Sequence, residues 1–139
     1  MTSNGPTETE TNRALAQGMY QAVLGGDTER FLAFVSPEVV VEEPEFLSYG
    51  GKYQGFAGFQ ELFATLASKF DLAGMTVDRL VVDGDYVCAF GRVPILGGDD
   101  LVSFAERSIF ENGKVINFRV YLYDTGDLGV GRDPEKLVL

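Results

Sequence analysis

Four strand-like segments in a row, separated by turn sequences, dominate the second half of this chain. They cover about Met75 to Val82, Tyr86 to Ile95, Leu101 to Glu111 and Lys114 to Tyr123. The short stretches between them are rich in Gly, Asp and Asn, which tolerate the positive φ angles of tight hairpins. The sequence therefore predicts a four-stranded antiparallel meander.

The first half of the chain predicts three helices. Thr7-x-x-Glu10 has the pattern of a capping box, and the apolar stripe that follows it ends at Gly25-Gly26. Asp27 or Thr28 begins a short second helix that Ser36-Pro37 ends. The third helix has one strongly apolar face, with side chains at spacings of three and four residues: Phe59, Leu62, Phe63, Leu66 and Phe70.

Between the second and third helices, Val39-Val40-Val41 predicts a strand that runs into Glu42-Glu43-Pro44. A loop containing Tyr49-Gly50-Gly51 leads on to Gly55. Helices first and antiparallel strands last define an α+β fold, so we expect the helices to pack on one face of a strongly curved antiparallel sheet.

The length of 139 residues fits one domain with a substantial core. We expect that domain over residues 9–125, with a disordered N-terminal tail at 1–8 and a C-terminal tail at 126–139. The last three residues, Leu137-Val138-Leu139, are apolar and could dock on the domain or on a second subunit.

Composition excludes several classes of function. The net charge of −10 disfavours nucleic acid and anionic membranes as partners. No apolar run is long enough to span a bilayer and no signal peptide is evident, so the sequence predicts a cytoplasmic protein. The chain has no histidine, which removes Ser-His and Cys-His nucleophile pairs and the commonest metal ligand. Its single cysteine, Cys88, is expected to be a small core residue.

Glu106 falls on the same side of its predicted strand as Val102, Phe104, Ser108 and Phe110. Burying a carboxylate on such an apolar face costs several kcal/mol without a partner. Either an arginine of a neighbouring strand (Arg79, Arg92 or Arg119) pairs with it, or its pKa is raised and it serves as an acid, a base or a hydrogen-bond donor in a ligand pocket.

Glu43 is the second candidate acid. It shares a side of the first strand with Val39 and Val41, so it points inward if they do. Two carboxyl groups in unequal environments would form an acid-base pair. A solvated strand end next to Pro44 is an equally good interpretation, because Glu42 and Glu45 make the whole segment acidic.

Several motifs together resemble the NTF2-like superfamily over roughly residues 9–125. They are Ala22-Val23-Leu24-Gly25-Gly26-Asp27, Glu42-Glu43-Pro44, Tyr49-Gly50-Gly51-x-Tyr53-x-Gly55, and Glu111-Asn112-Gly113-Lys114-Val115-Ile116 before Phe118-Arg119-x-Tyr121. Within the superfamily, the chain is most similar to the SnoaL-like polyketide cyclases and the ketosteroid isomerases. The resemblance implies a cone of curved sheet closed by three helices around an apolar pocket.

The resemblance also implies roles for the two acids. Glu43 matches the position of the isomerases' general base, and Glu106 matches their protonated oxyanion-hole acid. The oxyanion tyrosine of helix 1 aligns instead with Met19, and Tyr20 lies one residue on, about 100° around the helix. That offset argues against steroid isomerisation. The histidine of related dehydratases and the Arg-x-Asp pattern of related epoxide hydrolases are absent.

We therefore predict a cofactor-independent and metal-independent cyclase or isomerase of small apolar oxygenated substrates, in polyketide-type secondary metabolism. Glu43 would act as the base and Glu106 as the donor. The predicted substrate-binding residues are Met19, Tyr20, Phe34, Tyr49, Tyr53, Phe63, Phe104, Phe110, Phe118, Val120 and Tyr121.

Two alternatives stay open. A cyclase could mainly fold its substrate, with Glu106 only polarising it. The fold could also be a non-catalytic module for small-molecule binding or dimerisation. In any of these cases an exposed outer sheet face with Ile109, Val115 and Tyr123 would suit a homodimer.

Overall fold

The computed structural model describes residues 7–124, which form three helices and a curved, unclosed six-stranded sheet. The predicted α+β class is confirmed. The predicted tails, including Leu137-Val138-Leu139, lie outside the described residues apart from Thr7 and Glu8. The helices are α1 (Glu8–Leu24), α2 (Thr28–Leu32) and α3 (Gly55–Lys69); the strands are β1 (Val35–Glu43), β2 (Gly51–Gln54), β3 (Thr76–Asp83), β4 (Tyr86–Pro94), β5 (Leu101–Glu111) and β6 (Lys114–Leu122).

The strands lie in the order β2-β1-β6-β5-β4-β3. The last four form the predicted antiparallel meander, and β2 pairs antiparallel with β1. β1 and β6 pair in parallel, which joins the two ends of the fold into one sheet. The helices contact one face of this sheet, here called the inner face, and the other is the outer face.

Hydrogen bonds fix the start of α1 against the sheet. The Thr7 hydroxyl accepts from the backbone N–H of Glu10 at 3.1 Å, as the capping-box pattern predicts. One turn further on, the Asn12 side chain donates to the Gly84 carbonyl at 2.9 Å, and the Gly84 N–H donates to the Thr9 hydroxyl at 2.9 Å. These two bonds tie α1 to the β3–β4 turn and so fix which of its side chains face the sheet.

Two predictions about local structure are wrong. The second helix ends at Leu32, and Ser36-Pro37 lies inside β1. The strand tolerates this proline because the pairing of β1 with β6 shifts register between Val35 and Val40, so Pro37 lies at an irregular stretch. The predicted loop after Tyr49 contains a strand, β2, whose Gly51 pairs with Glu43.

The core lies between the helices and the inner face of the sheet. Inward residues of β4 and β5 such as Val87 and Val102 are fully buried. Alternation is interrupted where the pairing of β5 with β6 shifts register between Ile109 and Phe110. Among the described residues, no helix is both long and apolar enough to cross a membrane.

Candidate functional site

A cavity of about 100 Å³ lies between the helices and the inner face, and Glu43 and Glu106 both line it. An adjoining cavity of about 90 Å³ shares both carboxyl groups and adds Tyr49 and Val120. Apart from these two acids and Tyr20, the wall of the first cavity is apolar. Its other lining residues are Val23, Phe31, Val41, Phe59, Leu62, Phe63, Leu66, Leu72, Met75, Phe104 and Phe118.

The parallel pairing of β1 with β6 brings the two acids together. Glu106 of β5 pairs with Val120 of β6. On the other side of β6, Glu42 pairs with Arg119, which places Glu43 next to Val120. The two acids thus lie two strand spacings apart, about 10 Å between their backbones, on the same inner face. The two acids are more than sixty residues apart in the sequence, so the sequence does not indicate that they line the same cavity.

Tyr20 of α1 is the polar partner of Glu106. Its phenol donates a hydrogen bond of 2.6 Å to Oε1 of Glu106. Burial, followed by the charge of Glu106, raises the pKa of Tyr20 well above its usual value. The phenol therefore stays protonated and acts as a hydrogen-bond donor.

Glu106 meets the cavity and this phenol rather than an arginine. In the described part of the chain, no salt bridge joins Glu106 to a cation. Arg92 pairs with Asp78 at 3.2 Å, and the Arg119 guanidinium lies over the ring of Tyr121 at 5.4 Å. Burial raises the pKa of Glu106, and the hydrogen bond from Tyr20 opposes that rise.

Glu43 is buried, with 7% of its surface exposed. Burial raises its pKa to about 8, and the neighbouring charge of Glu106 adds to the rise. No side chain of residues 7–124 donates a hydrogen bond to the Glu43 carboxyl group. Glu43 therefore keeps its proton more readily than Glu106, since the hydrogen bond from the Tyr20 phenol stabilises the ionised form of Glu106 more than its neutral form.

Four phenylalanine rings form one wall of the cavity. Phe31 stacks on Phe59 at 5.2 Å between centroids and on Phe118 at 6.2 Å, and Phe59 stacks on Phe63 at 6.1 Å. These rings come from α2, α3 and β6, so the wall forms only when all three elements pack together. Such a surface suits the face of a flat, apolar ligand.

The structure brings most predicted site residues to the two cavities. Glu43, Glu106, Tyr20, Phe63, Phe104 and Phe118 line the first, and Tyr49 and Val120 line the second. Five predicted residues line neither: Met19, Phe34, Tyr53, Phe110 and Tyr121.

Packing explains why these five residues lie outside the two cavities. Met19 and Phe110 are core residues with 0% and 3% exposure, and the Phe34 ring packs against the backbone of α1 at Gly18. The Tyr53 hydroxyl donates to the Tyr49 carbonyl at 2.6 Å. Tyr121 is on the outer face beside Arg119, because it alternates with the inward Val120.

The offset of one residue on α1 does not remove the phenol from the site. Met19 is buried in the core, and Tyr20 reaches Glu106. The offset therefore carries less weight against isomerase chemistry than the sequence suggests. The register of α1 against the sheet decides this point, and alignment alone does not reveal it.

Other lining residues were not among those predicted. Phe59, Leu62 and Leu66 belong to the apolar face of α3, whose periodicity is evident in the sequence. Leu72 and Met75 follow α3 in and beside a 3-10 turn that no sequence signal indicates. The helix face could have been assigned to the site from its pattern, but the turn could not.

This architecture, a curved open sheet covered by three helices around an acid-lined pocket, defines an NTF2-like protein. The chain belongs to the SnoaL-like family, whose domain model matches residues 16–119. No functionally curated protein matches the sequence significantly.

Solved structures share the fold at low sequence identity. One is an NTF2-like protein of unknown function from Burkholderia pseudomallei K96243, with 22% identity, TM-score 0.71, and 81% of this chain and 90% of that chain covered. Another, from Kribbella flavida DSM 17836, is provisionally assigned as a ketosteroid isomerase, with 22% identity, TM-score 0.72 and coverage of 96% and 91%. TerC, co-crystallised with polyporic acid, has 23% identity, TM-score 0.70 and coverage of 81% and 91%. These likenesses establish the fold.

Proposed function

We propose that this protein is a cofactor-independent cyclase or isomerase that moves protons on small neutral carbonyl compounds. The observation that carries the proposal is the pair of carboxyl groups, Glu43 and Glu106, facing one small apolar cavity. Neither forms a salt bridge in the described part of the chain, and burial raises the pKa of both. Raised carboxyl pKa values bring proton transfer into the neutral pH range.

The two acids would share one proton in the resting state. Glu43 would hold it, because burial and the charge of Glu106 favour its neutral form. Glu106 would be ionised, because Tyr20 donates a hydrogen bond to it. This allocation reverses the roles that the family resemblance implies for the two residues.

A simple reaction follows from this arrangement. The Glu106 carboxylate takes a proton from the carbon next to a carbonyl, and the released electron pair forms the enolate. Glu43 gives its proton to the carbonyl oxygen, which yields the neutral enol. In isomerisation, Glu106 returns its proton to another carbon and Glu43 takes back the enol O–H proton. In cyclisation, the enol carbon attacks a second carbonyl, Glu106 protonates the new alkoxide, and Glu43 takes back the enol O–H proton.

The cavity limits the substrate. Two acids and a net charge of −10 disfavour anions, so a neutral compound is favoured. A volume of about 100 Å³ is below the roughly 300 to 1,000 Å³ of pockets for drug-sized ligands. A single ring fits, and a larger molecule would extend into the adjoining cavity. A flat polyketide-type ring compound would meet these limits and stack on the phenylalanine wall.

Hydrogen exchange tests the proposal without knowledge of the natural substrate. Small cyclic ketones and enones are incubated with the protein in deuterated buffer, and loss of the proton next to the carbonyl is followed by NMR. We expect exchange above the rate with the double variant E43Q/E106Q. Saturable binding of these compounds with no faster exchange would instead support a non-catalytic binding module.

We also propose that the protein forms a homodimer through the outer face. Tyr86, Phe90, Tyr121 and Tyr123 are exposed on or beside this face by 45 to 89%. Two of its arginines are paired internally, Arg92 with Asp78 and Arg107 with Glu42, which reduces the repulsion between two copies of the patch. Val115 does not contribute, since it is fully buried.

Sedimentation equilibrium tests the dimer. We expect a mass near twice the 15.2 kDa of the chain. Substituting the most exposed aromatic residue, Tyr123→Lys, should shift the equilibrium towards the monomer, because like charges would face each other across the two-fold axis. A monomer at all concentrations would contradict the proposal.

A further inference from the structure

Ser108 is a buried polar residue that the proposed mechanism leaves unused. It has 0% exposure, and its hydroxyl has no hydrogen-bond partner among the described residues. An unpaired hydroxyl in a protein core is unfavourable, and most buried polar groups have partners. The environment of Ser108 therefore calls for a physical explanation.

The position of Ser108 points to Tyr20. Ser108 lies two residues after Glu106 on the inner face of β5, so both side chains project towards α1. The Tyr20 phenol contacts Glu106 from that helix, which brings its oxygen over the same part of the strand. The Ser108 hydroxyl is close enough to the phenol to lower the pKa of Tyr20, against the larger effects of burial and Glu106.

The hydrogen-bonding capacities of the groups fix the direction of this contact. The single proton of Tyr20 goes to Glu106, so its oxygen has only acceptor sites left. A serine hydroxyl carries one donor and can rotate to aim it. Ser108 can thus donate to the phenol oxygen while the phenol donates to the carboxylate.

We propose that Ser108 is a positioning residue whose hydroxyl donates a hydrogen bond to the Tyr20 oxygen. This bond keeps the Tyr20 hydroxyl oriented as a donor to Glu106. The inference rests on the proposed function, because the proposed reaction uses an ionised Glu106 as the base. In such a chain each hydrogen bond polarises and strengthens the next. Loss of Ser108 weakens the phenol as a donor and leaves the Glu106 carboxylate less stabilised.

The groups around Glu106 determine which of them can change its titration. Tyr20 of α1 donates to it and Glu43 of β1 shares its cavity. Cys88 of β4 lies opposite Arg107 on the outer face, where burial and then the charge of Glu106 raise its pKa. Arg107 is turned to the outer face, where it meets Glu42. Any change in Glu106 titration caused by Ser108 must therefore pass through Tyr20, because Ser108 itself carries no charge.

The experiment is a double-mutant cycle without substrate. The titration of Glu106 is followed by carboxyl-carbon NMR in the full chain, in S108A, in Y20F and in S108A/Y20F. We expect Ser108→Ala to move the Glu106 midpoint upward by a few tenths of a pH unit, the size of a cooperative hydrogen-bond effect. Tyr20→Phe should move it further upward, and Ser108→Ala should add nothing in that background.

The experiment needs a control for folding and a stated result that would contradict the inference. Ser108→Ala removes one hydroxyl and its hydrogen bond to Tyr20, so we expect at most a small decrease in melting temperature, the size that one neutral hydrogen bond accounts for. Ser103→Ala is the matched control, because it makes the same change on the opposite face of β5. An unmoved midpoint in S108A, or an equal shift in the Y20F background, would overturn the inference. Neither result depends on ketone exchange, which tests the proposed function separately.

Discussion

Replacement of Glu43 or Glu106 by glutamine is expected to slow ketone proton exchange by about 10² to 10⁴-fold, the usual contribution of a positioned acid or base. Glutamine preserves the shape and keeps one accepting oxygen, but its amide cannot act as an acid or a base towards the substrate. Both variants should retain binding, because the apolar walls that hold the ring are untouched. NMR exchange rates at matched ligand saturation measure the effect.

Glu45→Gln is the matched control for these variants. It makes the same change two residues from Glu43, in an exposed position outside both cavities, and should leave exchange unaltered. Full exchange activity in both E43Q and E106Q would contradict the proposed acid and base roles of these two residues. Loss in E106Q alone would favour a protein that folds its substrate and uses only one acid.

Stability is expected to fall as the pH rises from about 4.5 to 8, because of Glu43. Its pKa is raised from 4.5 to about 8 in the folded protein, so the folded state binds more protons than the unfolded state in that window. The favourable contribution is complete below the unfolded pKa and is lost as the pH passes through the folded pKa. The loss is about 1.4 kcal/mol per pH unit, or on the order of 5 kcal/mol in all.

Urea unfolding at several pH values measures this dependence. In Glu43→Gln the slope between pH 5 and 8 should flatten, because the neutral amide has no proton to lose. Some slope should persist from Glu106, whose pKa burial also raises. Glu45→Gln should keep the full slope. Equal slopes in the wild type and in Glu43→Gln over this range would show that the pKa of Glu43 is not raised.

Much of the fold could be predicted from local sequence. The capping box at Thr7, the apolar stripe of α3 and the Gly-Asp-Asn turns of the meander each act over a few residues, so each is evident in the sequence. The errors lie where a distant partner decides the outcome. Pro37 is tolerated in β1 by an irregular pairing with β6, and β2 exists because the end of β1 pairs with it.

The site also combines features that local sequence determines with features that distant partners determine. Period-two alternation alone predicts that Glu106 lies on an apolar face, because the direction of a side chain in a strand is a local property. Whether that carboxyl group meets an arginine, a phenol or a cavity depends on the register of α1 and on the parallel pairing of β1 with β6. Those arise from packing between segments far apart in the chain. The sequence by itself determined that the acid points inward; only the tertiary structure placed Tyr20 against it and Glu43 across the same cavity.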